Sequence, residues 1–441
     1  MYCLLCSAKT LAVLTIISVV AAASSVCCAQ SSTIGLVLVG RVTSPDAAPV
    51  RSDVTAYRLT VKDGWLVPLA QCFAQTDAEG RYSCQSLAFG RYFIVASPTG
   101  QNPKAAENSP STALAETFYP SASTLDEADL LDLHPPGIFQ ADIILRSYSD
   151  HSMIVRLTPP SLGAEIAVFA AGKHFELPVH PPLMLFEQGK EASIPASDNE
   201  KYHVKIDWGS GSDSTHSVGN TADELFEGTS LHMSPRGFVD IGGSVECESC
   251  SSGDSLPDSL LLSPIDSALS KQPGIEIPMD ALKTTRIEAG SYSLSLKPDS
   301  SFFVSDVSLN GKSQDNSTLV LSAGETILIK IMISHSTARI LGRIDGDIHS
   351  RREGMVVRSK TGNFVRLVFT EGQPNFVLDG LPPGTYTMSA WRNLDEVPYR
   401  DNDLLSMCKN KTIQIEQPSG VQMLELVRNE NECWMDQISP L

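Results

Sequence analysis

The stretch from Asn375 to Trp391, NFVLDGLPPGTYTMSAW, constrains the fold more than any other part of the chain. Phe376 and Leu378 alternate with polar neighbours, and Leu381-Pro382-Pro383-Gly384 supplies turn chemistry. Tyr386, Met388 and Ala390 then resume the period of two of a half-buried strand. The pattern predicts a β-hairpin. Its second strand is echoed at Gly90-Arg91-Tyr92 with Ile94 and Ala96, at Tyr202 with Val204, Ile206 and Trp208, and at Gly290-Ser291-Tyr292 with Leu294 and Leu296. Gly40-Arg41-Val42, Gly243-Ser244-Val245 and Gly342-Arg343-Ile344 stand in phase ahead of Tyr92, Tyr292 and Tyr386. The chain therefore reads as about four copies of one β unit.

A length of 441 residues exceeds what one hydrophobic core serves and suits three or four domains. Many short strands separated by turn signals predict an all-β chain, a tandem array of about four antiparallel β-sandwiches. The expected units are 33–147, 148–234, 235–334 and 335–428, with a tail at 429–441. The second, carrying the run Gly209 to Ser214 and no Gly-x-Tyr turn, is the least regular. Within the first, Gln101 to Ser123 is expected as a long surface loop and Phe139 to Arg146 as the closing strand. Helical spacing outside the N-terminus is confined to Asp126 to Leu133.

Lys9, the apolar run Leu11 to Ala23 and the small residues that follow predict a secretory signal over 1–29, cleaved after Ala23 or Ala29, and so a secreted or periplasmic protein. No later stretch is long and apolar enough for a spanning helix, so no transmembrane segment is expected once the signal is removed. The formal net charge of −18 opposes any role that depends on neutralising phosphates, which argues against nucleic acid as a partner.

Outside the signal region the cysteines are Cys72, Cys84, Cys247, Cys250, Cys408 and Cys433, an even set in a chain expected to be exported, and all six are disulfide candidates. With Asp77 to Gly80 as a hairpin tip, Cys72 and Cys84 fall within one position of direct opposition, so they are expected to be bonded. Cys247-Glu248-Ser249-Cys250 suits a small disulfide loop. A redox site needs a positive neighbour where Glu248 is negative, and zinc needs a second ligand pair.

The set Gly40-x-Val42, Thr76-Asp77-x-x-Gly80-x-Tyr82 and Leu87-x-x-Gly90-x-Tyr92 resembles the carboxypeptidase regulatory-like domain, a transthyretin-like or prealbumin-like sandwich. Gly380-Leu381-Pro382-Pro383-Gly384-Thr385-Tyr386 is similar to its signature turn. The match covers the first and last units, and arrays of this kind behind a signal resemble secreted proteins of acidobacteria. The resemblance implies a fold far more than a function.

The catalytic half of such peptidases is missing: none of the nine histidines has a glutamate three residues on, and neither a nucleophile elbow nor a nucleotide-binding loop is present. His174, Glu176 and His180 come nearest to a metal cluster, but the prolines after them break the spacing, and no cofactor is expected. By strand parity Trp208 faces a core, while Trp391 lies on the other face of its strand, exposed or covering a neighbouring unit. Trp65 follows Asp63-Gly64 at a loop tip, so Trp65 and Trp391 are the candidate ligand-facing aromatics. These readings converge on a secreted, non-enzymatic structural and protein-interaction array whose partner is a protein or a cell-surface polysaccharide. The alternatives are a carbohydrate-binding accessory protein and an accessory subunit of a separate peptidase.

Overall fold

The structure is a computed structural model. It describes residues 36–99, 114–134, 137–147, 152–158, 165–179, 184–186, 191–195, 201–207, 216–220, 230–233, 237–248, 250, 256–264, 274–279, 282, 285–296, 302–314, 318–335, 338–346, 350–360, 365–415, 421–430, 433, 434 and 438. The expected signal, Trp208, His180 and most of Gln101 to Ser123 lie outside these residues.

The described chain is nearly all strand, and its strands fall into four two-sheet segments of one topology. In each, the opening strand sits between an antiparallel and a parallel neighbour. Leu36–Thr43 lies between Arg81–Leu87 and Ile138–Gln140, and Ser152–Leu157 between Glu191–Pro195 and Ser230–Met233. Phe238–Cys247 lies between Thr285–Glu288 and Thr326–His335, and Arg339–Ile344 between Asn375–Asp379 and Val421–Leu426. The second sheets also share an order: the second strand of the segment pairs with the third and with the fifth, or with the sixth in the second segment, where Met184–Phe186 is an added edge strand of the first sheet. The chain crosses between the two sheets after the opening strand and again before the closing one, and the closing strand re-enters parallel to the opening one. The sandwiches are otherwise antiparallel, save for two short parallel pairs, Leu36–Thr43 with Ile143–Ile144 and Gly384–Trp391 with Arg428–Asn429.

The recurring residues have structural reasons. Each opening strand is squeezed between neighbours, so a Cβ at Gly40 would overlap the Ala141 carbonyl, one at Gly243 the Ile329 carbonyl and one at Gly342 the Phe376 ring. The recurring tyrosines reach back four residues: Tyr92 Oη donates to the Ala88 carbonyl at 2.7 Å, Tyr292 to Glu288 at 2.8 Å and Tyr386 to Pro382 at 2.9 Å. Each pins a corner where the chain leaves one sheet for the other.

The stretch 375–391 is therefore not a hairpin. Asn375–Asp379 belongs to one sheet and Gly384–Trp391 to the facing one, with Leu381 buried between and two prolines that cannot donate to a ladder turning the corner. The same holds for Cys72 and Cys84, which lie in strands Trp65–Gln75 and Arg81–Leu87 of different sheets. Asp77 Oδ1 accepts from the amides of Glu79 at 3.0 Å and Arg81 at 2.7 Å, an ordinary polar turn. Two further expectations are corrected. Thr117–Phe118 is a buried strand on Val95 and Ala96, not loop, and Leu131–Leu133 is a strand on Gly90–Pro98, not helix.

Four separate cores fill the sandwiches. A fifth apolar cluster lies between segments.

Replacing Tyr386 by Phe keeps the ring and removes the corner bond, so it should cost about 1 kcal/mol. Chemical denaturation of the variant, with Tyr92→Phe as the matching change in the first sandwich, measures this; no loss in either would deny the corner bonds any role.

Candidate functional site

The fifth cluster is where the first, second and fourth segments meet. Central strands in the second sheets of the first and fourth sandwiches are buried on both faces: in Gly90–Pro98, Tyr92 and Ile94 enter the local core while Phe93 and Val95 enter the shared cluster. In the fourth, Met355 and Met388 point one way, Val356 and Trp391 the other. The second segment contributes Ala170, Phe175 and Leu177, and Phe175 meets Phe93 at 5.2 Å between ring centroids, tilted by 47°.

Polar contacts fix how the sandwiches meet. The two-residue turn Asp63-Gly64, with φ of +51° and +77°, projects the hairpin of Ser52–Lys62 and Trp65–Gln75 onto the fourth segment. There the Arg400 amide donates to the Gly64 carbonyl at 3.0 Å and Arg400 Nε to the Asp63 carbonyl at 3.1 Å. Gly64 is buried against the Tyr399 ring, where a Cβ would overlap it.

From the second segment, His174 Nδ1 meets Asp401 Oδ2 at 2.9 Å, both largely buried. Asp401 Oδ1 also caps the helix Asn402–Leu405, accepting from the amides of Asp403 at 3.0 Å and Leu404 at 3.1 Å. Burial pushes this carboxyl up, but the hydrogen bonds from His174 and the Leu404 and Asp403 amides outweigh it and hold Asp401 below the usual carboxylate range.

The residues singled out in the sequence separate here. His174 pairs with Asp401, whereas Glu176 turns to His203, so the two do not share a site. Among the described residues, no three His, Cys, Asp or Glu side chains converge as a metal ion would need. Trp391 is corrected as a ligand-facing aromatic: it is on the face that parity assigned, but other sandwiches cover that face, leaving it 0% exposed with Nε1 donating to Ser389 Oγ at 2.9 Å. Trp65 directly follows the Asp63-Gly64 tip, opening a strand opposite Lys62, and is half-buried; Trp391 is fully buried, so the two do not form an exposed platform.

The six cysteines are bonded as three pairs. Cys72–Cys84, with Cα atoms 5.9 Å apart, staples the two sheets of the first sandwich, not a hairpin as the register argument supposed. Cys247–Cys250 closes a small loop at the end of a strand. Cys408–Cys433 ties the segment after the last strand to the helix that Asp401 caps. That segment is no free tail. Asn429 donates to the carbonyls of Ala390 at 3.2 Å and Lys409 at 2.7 Å, and Trp434 is buried in the shared cluster.

Beside the junction lies a cavity of about 490 Å³. The first segment lines it with Arg58 to Val61, Phe89 to Arg91, Asp132 and His134; the fourth and the segment after it add Asp395, Glu396, Trp434 and Ile438. Apart from Gly90 and Arg91, noted for the repeat, sequence reasoning passed over these residues because they stand far apart in the chain. The one local sign was Trp434 directly after a cysteine.

No family model matches the chain, and no curated protein matches it. Solved structures similar to it include the Streptococcal ancillary pilin, at 11% identity over 64% of this chain and 99% of that one with a TM-score of 0.18. Others are the major pilin subunit BcpA of Bacillus cereus, at 11% over 68% and 99% with a TM-score of 0.17, and the full-length major pilin RrgB from Streptococcus pneumoniae, at 9% over 90% and 100% with a TM-score of 0.15. Likeness this low carries no argument about the site.

Asp401 has a depressed folded pKa, so its contribution is full above the unfolded value near 3.9 and vanishes as pH falls through the lower folded value. The junction is expected to loosen only below about pH 4. Asp401→Ala, which loses the cap and the His174 bond together, should cost about 3 kcal/mol at neutral pH and flatten the acid limb. Thermal melts across pH check both, and an unchanged acid limb in the variant would remove Asp401 from the explanation. Cys433→Ser, opening a crosslink over a separation of 25 residues, should cost about 3 kcal/mol and expose Trp434. Indole fluorescence that stays at the wild-type wavelength would count against that anchoring.

Proposed function

We propose that the chain is a secreted, non-enzymatic array of four β-sandwiches that acts as a structural and protein-interaction module at the cell surface or in the periplasm. Its units divide near 33–147, 148–234, 235–334 and 335–428 behind a signal at 1–29, and the first and last are of the carboxypeptidase regulatory-like type. The observation that carries this reading is the shared cluster, in which the fourth sandwich returns past the third to pack on the first and second. Such packing joins sandwiches that are not consecutive, so the array is a braced frame and not a string of beads. The buried polar groups at its centre, His174, Asp401 and the Arg400 backbone, are engaged in holding sandwiches together. No helix among the described residues is long and apolar enough to cross a membrane.

Incubated with a peptide library and a panel of glycans, the purified mature protein should release no products. C-terminal trimming of peptides that a chelator abolishes would overturn the reading in favour of a metallopeptidase.

A further inference from the structure

The cavity beside the junction exists because one strand outruns its neighbour. Ser52–Lys62 pairs with Gly90–Pro98 only as far as Arg58 opposite Tyr92, yet continues with Trp65–Gln75 to Lys62 opposite Trp65. Leu59 to Val61 therefore overhang the corner at Phe89-Gly90. The fourth segment closes the far side of the gap with Asp395, Glu396 and Trp434.

Two donors in this wall lack acceptors. Arg58 Nε is buried with no hydrogen-bond partner, and no carboxylate pairs with its guanidinium among the described residues. Its Cζ lies 5.7 Å from the centroid of the Phe89 ring. The indole N–H of Trp434, a residue 3% exposed, is likewise without an acceptor. Arg91, by contrast, is ion-paired to Asp132 at 3.8 Å, with His134 on the same carboxylate at 3.2 Å. Arg58 is half-buried as a residue, but its Nε and the Trp434 indole N–H are buried donors, and a buried donor is normally satisfied, so the wall calls for an oxygen acceptor, and the positive charge of Arg58 favours a negative one.

The rest of the lining narrows its chemistry. Phe89 is 65% exposed and offers an apolar ring face, while Glu396 and Asp132 offer acceptors for hydroxyl donors. We propose that the cavity binds a short oligosaccharide bearing a single carboxylate, a uronic acid residue. Its carboxylate takes the Arg58 and Trp434 donors, its C–H face lies on Phe89, and its hydroxyls donate to the carboxylates at the rim. The net charge of −18 disfavours a polyanion, so one carboxylate among neutral sugars fits better than a fully charged chain.

Calorimetric titration of the full mature protein with a glucuronic acid–glucose disaccharide, its methyl ester and the all-glucose disaccharide tests this directly. The free acid should bind, more weakly at high salt, and the ester and the neutral sugar should each bind at least about tenfold more weakly. Arg58→Gln should lose about tenfold for the acid with little change for the ester, and Trp434→Phe should lose several-fold. Equal binding of acid and ester, no binding of any of the three, or displacement of the acid sugar by a simple peptide at equal concentration would overturn the proposal. Should Arg58→Gln fail to fold, the comparison of acid with ester on the wild-type protein still decides.

Discussion

Burial of sheet faces against other sandwiches, around Trp391 and Phe175, is the constraint on which the architecture depends. A sandwich alone needs one buried face per sheet, but Gly90–Pro98 and Gly354–Ser359 carry apolar residues on both faces. Unpacked, those outer faces would form a contiguous apolar patch of the kind soluble proteins avoid. Full burial of a side chain the size of Trp391 contributes about 3 kcal/mol, whereas each backbone bond of Arg400 to the Asp63-Gly64 turn contributes about 1 kcal/mol. Packing therefore supplies the energy of the junction, and the polar contacts select its geometry.

Much of the fold was legible because its recurring residues answer to backbone sterics. A glycine in the squeezed opening strand and a tyrosine at the corner are demanded locally in the first, third and fourth segments, so they recur there in the same order. The second segment hides its membership because Tyr202 lacks the glycine turn, yet apart from the added edge strand Met184–Phe186 its strand order is that of the others. What misled was the punctuation. Prolines and glycines mark a reversal of the chain without saying whether the next strand pairs with the last or crosses to the facing sheet, and at Leu381 to Gly384 and at Thr76 to Gly80 it crosses.

The site was less legible, for a related reason. Period-two parity assigned Trp391 to the correct face but says nothing of what covers that face, since the cover comes from residues such as Phe93 and Phe175, hundreds of positions away. Unbroken apolar runs carried the missing information: Tyr92 to Ala96 and Met355 to Val357 do not alternate, as strands buried on both sides should not. Cys408 and Cys433 were legible as candidates, but their role in seating Trp434 in the junction depends on a packing that spans three segments.

Because the glycines and tyrosines that the copies share serve the fold, what distinguishes this chain must lie where the copies differ. Ser52–Lys62 and its partner Trp65–Gln75 are 11 residues each, while the corresponding pairs elsewhere are 7 and 4, 6 and 4, and 6 and 5. The extra length in the first sandwich is the hairpin that reaches the fourth. One local lengthening thus produces both the brace, through the tip at Asp63-Gly64, and the cavity, through the overhang at Leu59 to Val61. A ligand held there would touch both sandwiches at once, so binding and the rigidity of the frame are coupled by construction.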